Sequence, residues 1–167
     1  RRSSAASDVY KRQVLTTSLY FIVFGSVIGG YVEKIDGISY GSYIVPGLLM
    51  LTLLTQSISN TSFGIFFPKF NGTIYEILAA PISTLEVVLA FVGAGATKTL
   101  IVSIIIFITS LFFVDVQVKY PLLMIFLLIL VAFTFALFGF LIGLISSDFE
   151  QMSIIPTLFV TPMVFLG

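Results

Sequence analysis

The 167 residues are 58% hydrophobic and 15% aromatic but only 10% charged, with a mean hydropathy of +1.15. A water-soluble domain of this size could not cover its surface with so little polar material, so the composition is that of an integral membrane protein. Cysteine and histidine are both absent, which excludes a disulfide framework, a Cys/His zinc site and histidine-dependent acid–base chemistry.

The formal net charge of zero hides an uneven distribution. Arg1, Arg2, Asp8, Lys11 and Arg12 crowd the start, and the rest of the chain carries four lysines against seven acidic residues. Asp8 to Gln13 is the peptide that a transposon-end sequencing adapter encodes in frame. Residues 1–13 are therefore read as a non-native leader. A signal peptide is the other reading of a basic leader before an apolar run, but Phe24 to Tyr31 has no small-x-small cleavage site followed by a polar start.

A helix crossing a hydrocarbon core of about 30 Å needs about 20 apolar residues. The first predicted span covers 14–32 and the second 43–67, neither with an internal charge. The third, 87–114, contains Lys98, and the fourth, 121–145, has no charge. The fifth, 153–167, is apolar but incomplete. A β-barrel would alternate apolar and polar residues with period two, whereas 101–108 and 122–130 are almost unbroken apolar runs. The predicted class is an all-α polytopic membrane protein.

Short polar hairpins separate most spans: Glu33 to Gly37, Asp115 to Pro121, and Ser146 to Gln151. The connection from Pro68 to Glu86 is longer and patterned. Thr73-Ile74-Tyr75-Glu76 and Ser83-Thr84-Leu85-Glu86 both fit the capping box, in which an N-cap hydroxyl and an N3 carboxylate satisfy each other's backbone N–H groups. The first box predicts a short amphipathic helix over 73–80, with Ile74, Ile77 and Leu78 on one face and Pro81 ending it. The second opens the third span, and Ser147-x-x-Glu150 similarly precedes the fifth. Native lysines divide between the two sides without supporting either orientation.

Gly93-Ala94-Gly95-Ala96-Thr97-Lys98-Thr99 superficially suggests a phosphate loop, but it lacks the required glycine spacing and lies inside a span, where small residues serve close helix packing. Lys98 costs ~2.5–3.5 kcal/mol well inside a bilayer. It either snorkels or hydrogen-bonds to a neighbour, or it marks a polar point on a substrate path. Gly25-x-x-x-Gly29 and Gly139-x-x-x-Gly143 match the small-residue contact pattern of membrane helices. Pro156 and Pro162 predict a broken fifth span. The sequons at Asn60 and Asn71 are read as accidental, and Tyr40, Tyr43 and Tyr120 as interfacial anchors.

The long loop and its flanks resemble the permease subunits of ABC-2 type transporters, the polysaccharide and drug exporter class. Tyr43 to Leu48 carries the resemblance at the start of the second span. Lys69 to Ser83 with Glu86 carries it through the loop, most specifically in Gly72-Thr73-x-x-Glu76-x-Leu78-x-x-Pro81. Asp148, Ile154 to Thr157 and Thr161 to Gly167 continue it, so that it covers 14–167. It implies a membrane domain of six spans, about five of them present, with the family's N-terminal interfacial helix replaced by the leader and its C-terminal spans lying beyond this fragment. It also implies that 68–86 is cytoplasmic and carries a coupling helix docked on an ATPase. The contact candidates carried over are Lys69, Gly72, Thr73, Glu76, Leu78 and Pro81; the plainer reading of Thr73 and Glu76 is capping alone.

No Walker motif, catalytic dyad or metal cluster is read in the sequence, so the chain is expected not to be an enzyme and to hold no cofactor itself. The resemblance implies an exporter of an amphiphile such as a drug, lipid or lipid-linked glycan in a prokaryotic inner membrane. Its partners would be an ABC ATPase subunit binding Mg-ATP, a second permease subunit, identical or not, and membrane lipid, with no nucleic acid. The competing readings are a secondary transporter or channel fragment, which would need intramembrane carboxylates or broken helices, and a structural scaffold subunit.

Overall fold

The computed structural model describes residues 2–23 and 34–166. Among the described residues six helices run in order: α1 (Arg2–Val23), α2 (Tyr40–Phe70), α3 (Ile74–Ala79), α4 (Thr84–Phe113), α5 (Pro121–Ile145) and α6 (Phe149–Leu166). Among the described helices α2, α4 and α5 are long and apolar enough to cross a membrane. The spans expected at 43–67, 87–114 and 121–145 correspond to these three. Those expected at 14–32 and 153–167 fall on α1 and α6, and residues 24–32 of the first, with Gly25-x-x-x-Gly29, lie outside the described residues. α1 is continuous across residue 13.

One departure from an all-α chain is a two-residue β-ladder. Lys34–Ile35 (β1) pairs antiparallel with Ile38–Ser39 (β2). Asp36 and Gly37 take φ of 50° and 83°, the doubly left-handed Asp-Gly turn that suits the strand twist of a two-residue hairpin.

The chain divides into two compact units, one of residues 1–50 with 101–121, the other of 51–100 with 122–167. In the first, Val45, Leu49, Val102 and Ile106 form a small core against which Tyr10 and Val114 pack. Ser42 Oγ donates to the Asp115 carbonyl at 3.1 Å.

The second unit is held by contacts between backbones. Large side chains of α5 face outward, Leu122 at 83% exposure and Phe126 at 63%, while its buried positions include Ala132, Ala136, Gly139 and Gly143. This is the arrangement of a membrane helix: lipid is as apolar as leucine, so helices associate through small residues that let backbones approach and through polar side chains. The small residues recur at i, i+4, i+7 and i+11, and on α2 the matching seam is Ile58, Ser62, Ile65 and Lys69. The two helices run parallel. Ser57 Oγ donates to the Ala132 carbonyl at 2.6 Å and Ser62 Oγ to the Gly139 carbonyl at 2.8 Å. A Cβ on Gly143 would stand 2.7 Å from the Ser62 carbonyl oxygen, and one on Gly139 would be 2.8 Å from Ile58 Cα. α4 packs antiparallel to α2: Asn60 Nδ2 donates to Thr99 Oγ1 at 3.4 Å, and Thr61 presses on Gly95. The Gly93 to Thr99 stretch is therefore continuous helix, packed at Gly95, Ala96 and Thr99.

Three capping expectations resolve differently. Ser83 and Glu86 form the reciprocal box: Ser83 N–H donates to Glu86 Oε2 at 2.8 Å and Glu86 N–H to Ser83 Oγ at 3.3 Å. Thr73 does not cap α3, because its backbone is already helical (φ −61°, ψ −21°) and its side chain makes no cap hydrogen bond. At the start of α6 the carboxamide of Gln151, not Glu150, reaches back, accepting from Ser147 N–H at 3.1 Å.

Two other expectations also change. α6 runs unbroken through Pro156 and Pro162; proline removes one helical donor, a loss that helices within a membrane tolerate. α2 likewise continues through Pro68 to Phe70, so Lys69 belongs to its last turn and not to the loop.

Gly139→Ala should destabilise the protein by about 1–3 kcal/mol, because the added methyl meets backbone and not a movable side chain. Gly93→Ala, where a Cβ meets nothing within 4 Å, should be neutral or stabilising. Thermal midpoints of the two variants in the same detergent check the contrast. Ser83→Ala should cost about 1 kcal/mol by loss of its cap and Thr73→Ala close to nothing; equal effects in a denaturation series would contradict the assignment of the caps.

Candidate functional site

Lys69, Gly72, Thr73, Glu76, Leu78 and Pro81 form one continuous structure at the C-terminal end of α2. Lys69 is half-buried, and its Nζ donates to the Leu144 carbonyl at 2.6 Å and the Ser146 carbonyl at 2.9 Å. An ammonium there complements the partial negative charge of α5's last turn. The Asn71 N–H returns to the Phe67 carbonyl at 3.0 Å, closing α2. Gly72 follows at φ +78°, a left-handed conformation that a side chain would strain.

That turn sets the direction of α3. Ile74 packs against the core cluster that includes Leu53, Ile65 and Val92, and Ile77, three residues on, is also partly covered. The opposite side is open: Tyr75 is 73% and Leu78 64% exposed, and Glu76 and Ala79 are exposed as well. The predicted face of Ile74, Ile77 and Leu78 is therefore split, with Leu78 pointing away from the core. Ala80 is extended (φ −69°, ψ 148°) ahead of exposed Pro81, as a residue preceding proline prefers. The Ser83–Glu86 box then starts α4. The result is a two-turn helix fixed at both ends, presenting tyrosine, leucine and a carboxylate outward.

Lys98 is not part of this group. It is exposed midway along α4, about 18 Å of helix rise beyond Glu86 at 1.5 Å per residue.

Two further features went unread in the sequence. The Phe149 ring, at the first residue of α6, meets three rings of α2: Phe66 at 4.8 Å, Phe70 at 5.2 Å and Phe67 at 6.2 Å between centroids. A groove of about 540 Å³ lies between α2 and α6. Thr55 and Ser59 line it from α2, and Ser153, Thr157 and Thr161 from α6, among apolar neighbours such as Phe63 and Val160. Hydroxyls repeating every four residues on both helices were the available signal.

The sequence profile of the family described as ABC-2 type transporter matches residues 2–167. The chain is 38% identical over 154 residues to the inner membrane transport permease YadH of Escherichia coli strain K12, which covers 92% of this chain and 60% of the relative. The YadH proteins of Escherichia coli O157:H7 and Shigella flexneri match with the same identity and coverage. The chain thus spans about three-fifths of the length of these relatives. No solved structure matches it. With apolar helices of membrane-spanning length and a profile match along essentially the whole sequence, the chain is an integral membrane protein that belongs to the ABC-2 type transporter family.

Proposed function

We propose that the chain is the membrane-spanning permease subunit of an ATP-driven exporter, moving an amphiphile such as a drug, a lipid or a lipid-linked glycan across a prokaryotic inner membrane. In this reading it contributes five of the six spans of an ABC-2 type domain, pairs with a second, identical or different, permease subunit, and leaves hydrolysis of Mg-ATP to separate ATPase subunits. Family membership and the similarity to inner membrane transport permeases support it.

The observation that carries the proposal is α3: a short helix held to the core by Ile74 while Tyr75 and Leu78 stand open to the outside. Exposed tyrosine and leucine on a fixed two-turn helix, with Glu76 between them, suit docking into a groove of a partner protein. Thr73, Glu76, Leu78 and Pro81 supply the contact surface, Gly72 the turn that aims it, and Lys69 the anchor behind it. Each nucleotide state of the ATPase then favours the membrane conformation whose α3 contacts it binds better.

Lys98 belongs in this reading to the substrate path. An ammonium midway along a membrane helix is costly against acyl chains, and a polar conduit or an anionic headgroup removes that cost.

The test uses the complete permease co-expressed with its ATPase. Glu76→Arg and Leu78→Asp should lower transport-coupled ATP hydrolysis by about tenfold or more, as loss of an interface hot spot does, with membrane insertion unchanged. Lys98→Met should lower transport while leaving ATPase binding intact. Unaltered coupling in both α3 variants would remove α3 from the interface.

A further inference from the structure

The end of α2 is fastened twice to the turn that joins α5 to α6. Lys69 Nζ donates to the Leu144 and Ser146 carbonyls, and the Phe149 ring, three residues beyond Ser146, packs edge-on against Phe66 at 4.8 Å and Phe70 at 5.2 Å. Ser146 is buried and its hydroxyl bonds to the Ile142 carbonyl at 2.7 Å, so the acceptor end is itself held in place. α3 begins five residues after Lys69, and Ile74 ties it to the same core as α2. At the other side of the tie, the first turns of α6 supply Ser153, Pro156 and Thr157 to the groove that Thr55 and Ser59 line from α2.

From this connection we infer that Lys69 and Phe149 form a transmission tie. They hold the start of α6 to the end of α2, so that a displacement of α3 moves α6 and changes the width of the α2–α6 groove. Lys69 acts in this as a positioning residue. Its charge is directed at the C-terminal end of α5, where the Leu144 and Ser146 carbonyls take two of its three N–H donors, and it makes the tie directional in a way that a methionine of similar reach could not. The aromatic contact supplies the second point, without which α6 could pivot about Ser146. The inference rests on the reading that α3 couples to an ATPase.

The test takes the full-length permease, first alone and then with its ATPase. Spin labels at positions 75 on α3 and 158 on α6, both exposed sites, report the distance between the two elements in reconstituted permease without ATPase. The unsubstituted tie and Lys69→Arg, which keeps the donors, should give one narrow distribution; Lys69→Met and Phe149→Leu should broaden it. With the ATPase present, Phe149→Leu should retain ATPase binding and basal hydrolysis within about twofold while transport per ATP falls about tenfold, the size of effect expected when a coupling network is cut, and Lys69→Met should lower transport per ATP by a similar factor. Lys69→Arg should restore transport to within about threefold of the parent.

An unbroadened distance together with a parental ratio of transport to hydrolysis in both variants would overturn the tie. So would a lower yield of inserted protein whose remaining molecules keep that ratio, since that is what a merely structural lysine would give. Should the parent permease bind no ATPase, the exporter reading fails, and the distance measurement on the permease alone still decides whether the tie exists.

Discussion

The second unit depends on how closely the backbones of α2 and α5 approach. Within a bilayer no hydrophobic force distinguishes a neighbouring helix from lipid, so two helices stay together only where their backbones come near enough for dispersion and polar contacts to accumulate. Gly139 and Gly143 permit that approach, and Ser57, Ser62 and Lys69 use it, each donating to carbonyls of α5. Those carbonyls belong to residues within or just beyond the helix, so the donors occupy acceptor capacity that lipid could not satisfy. The parallel pairing follows from the order of the contacts, and it brings the last turn of α2 beside the last turn of α5.

What stands at that end follows from the pairing. With α2 fixed along its seam, Gly72 turns the chain in one direction, and α3 has only one side it can bury. Ile74 takes it; Tyr75 and Leu78 are left outside. The Ser83–Glu86 box restarts a helix immediately after Pro81, so the segment between two membrane helices is short and well defined. In the proposed reading, anchoring at both ends is what would let this surface transmit a push, and a partner that binds it differently in two states would bias the membrane domain by the difference in binding free energy.

Much of this was legible in the residues. α5 matches its expected range, and α2 and α4 begin within three residues of theirs, because uninterrupted apolar runs bounded by charge and proline leave little choice in a bilayer. The small-residue spacing of Gly139 and Gly143 and the Ser83–Glu86 box were read correctly because each depends on local chemistry alone. The misreadings share a different cause. The sequence puts the start of the long connection at Pro68, but proline removes only one donor and α2 carries on for two residues beyond it. Thr73 matched a capping pattern, yet the Gly72 turn leaves it already helical. Leu78 follows the period of Ile74 and Ile77, but a two-turn helix with a single supporting core cannot bury all three. Phe149 carries no local signal, and the four-residue repeat of the groove hydroxyls does not say which helices they face, since the partners lie about 80 to 100 residues away in sequence. Only packing reveals them.

The claim at the centre of this account is that the outer side of α3 is the contact through which an ATPase drives the membrane domain. The most direct measurement is site-specific photocrosslinking from position 75 of the complete permease, co-expressed with its ATPase, with position 126 on the outward side of α5 as the control. The account predicts a crosslink to the ATPase from position 75 whose yield changes between nucleotide-free and ATP-bound states, and none from position 126. An assembled complex with no ATPase crosslink from position 75 in any nucleotide state would contradict it.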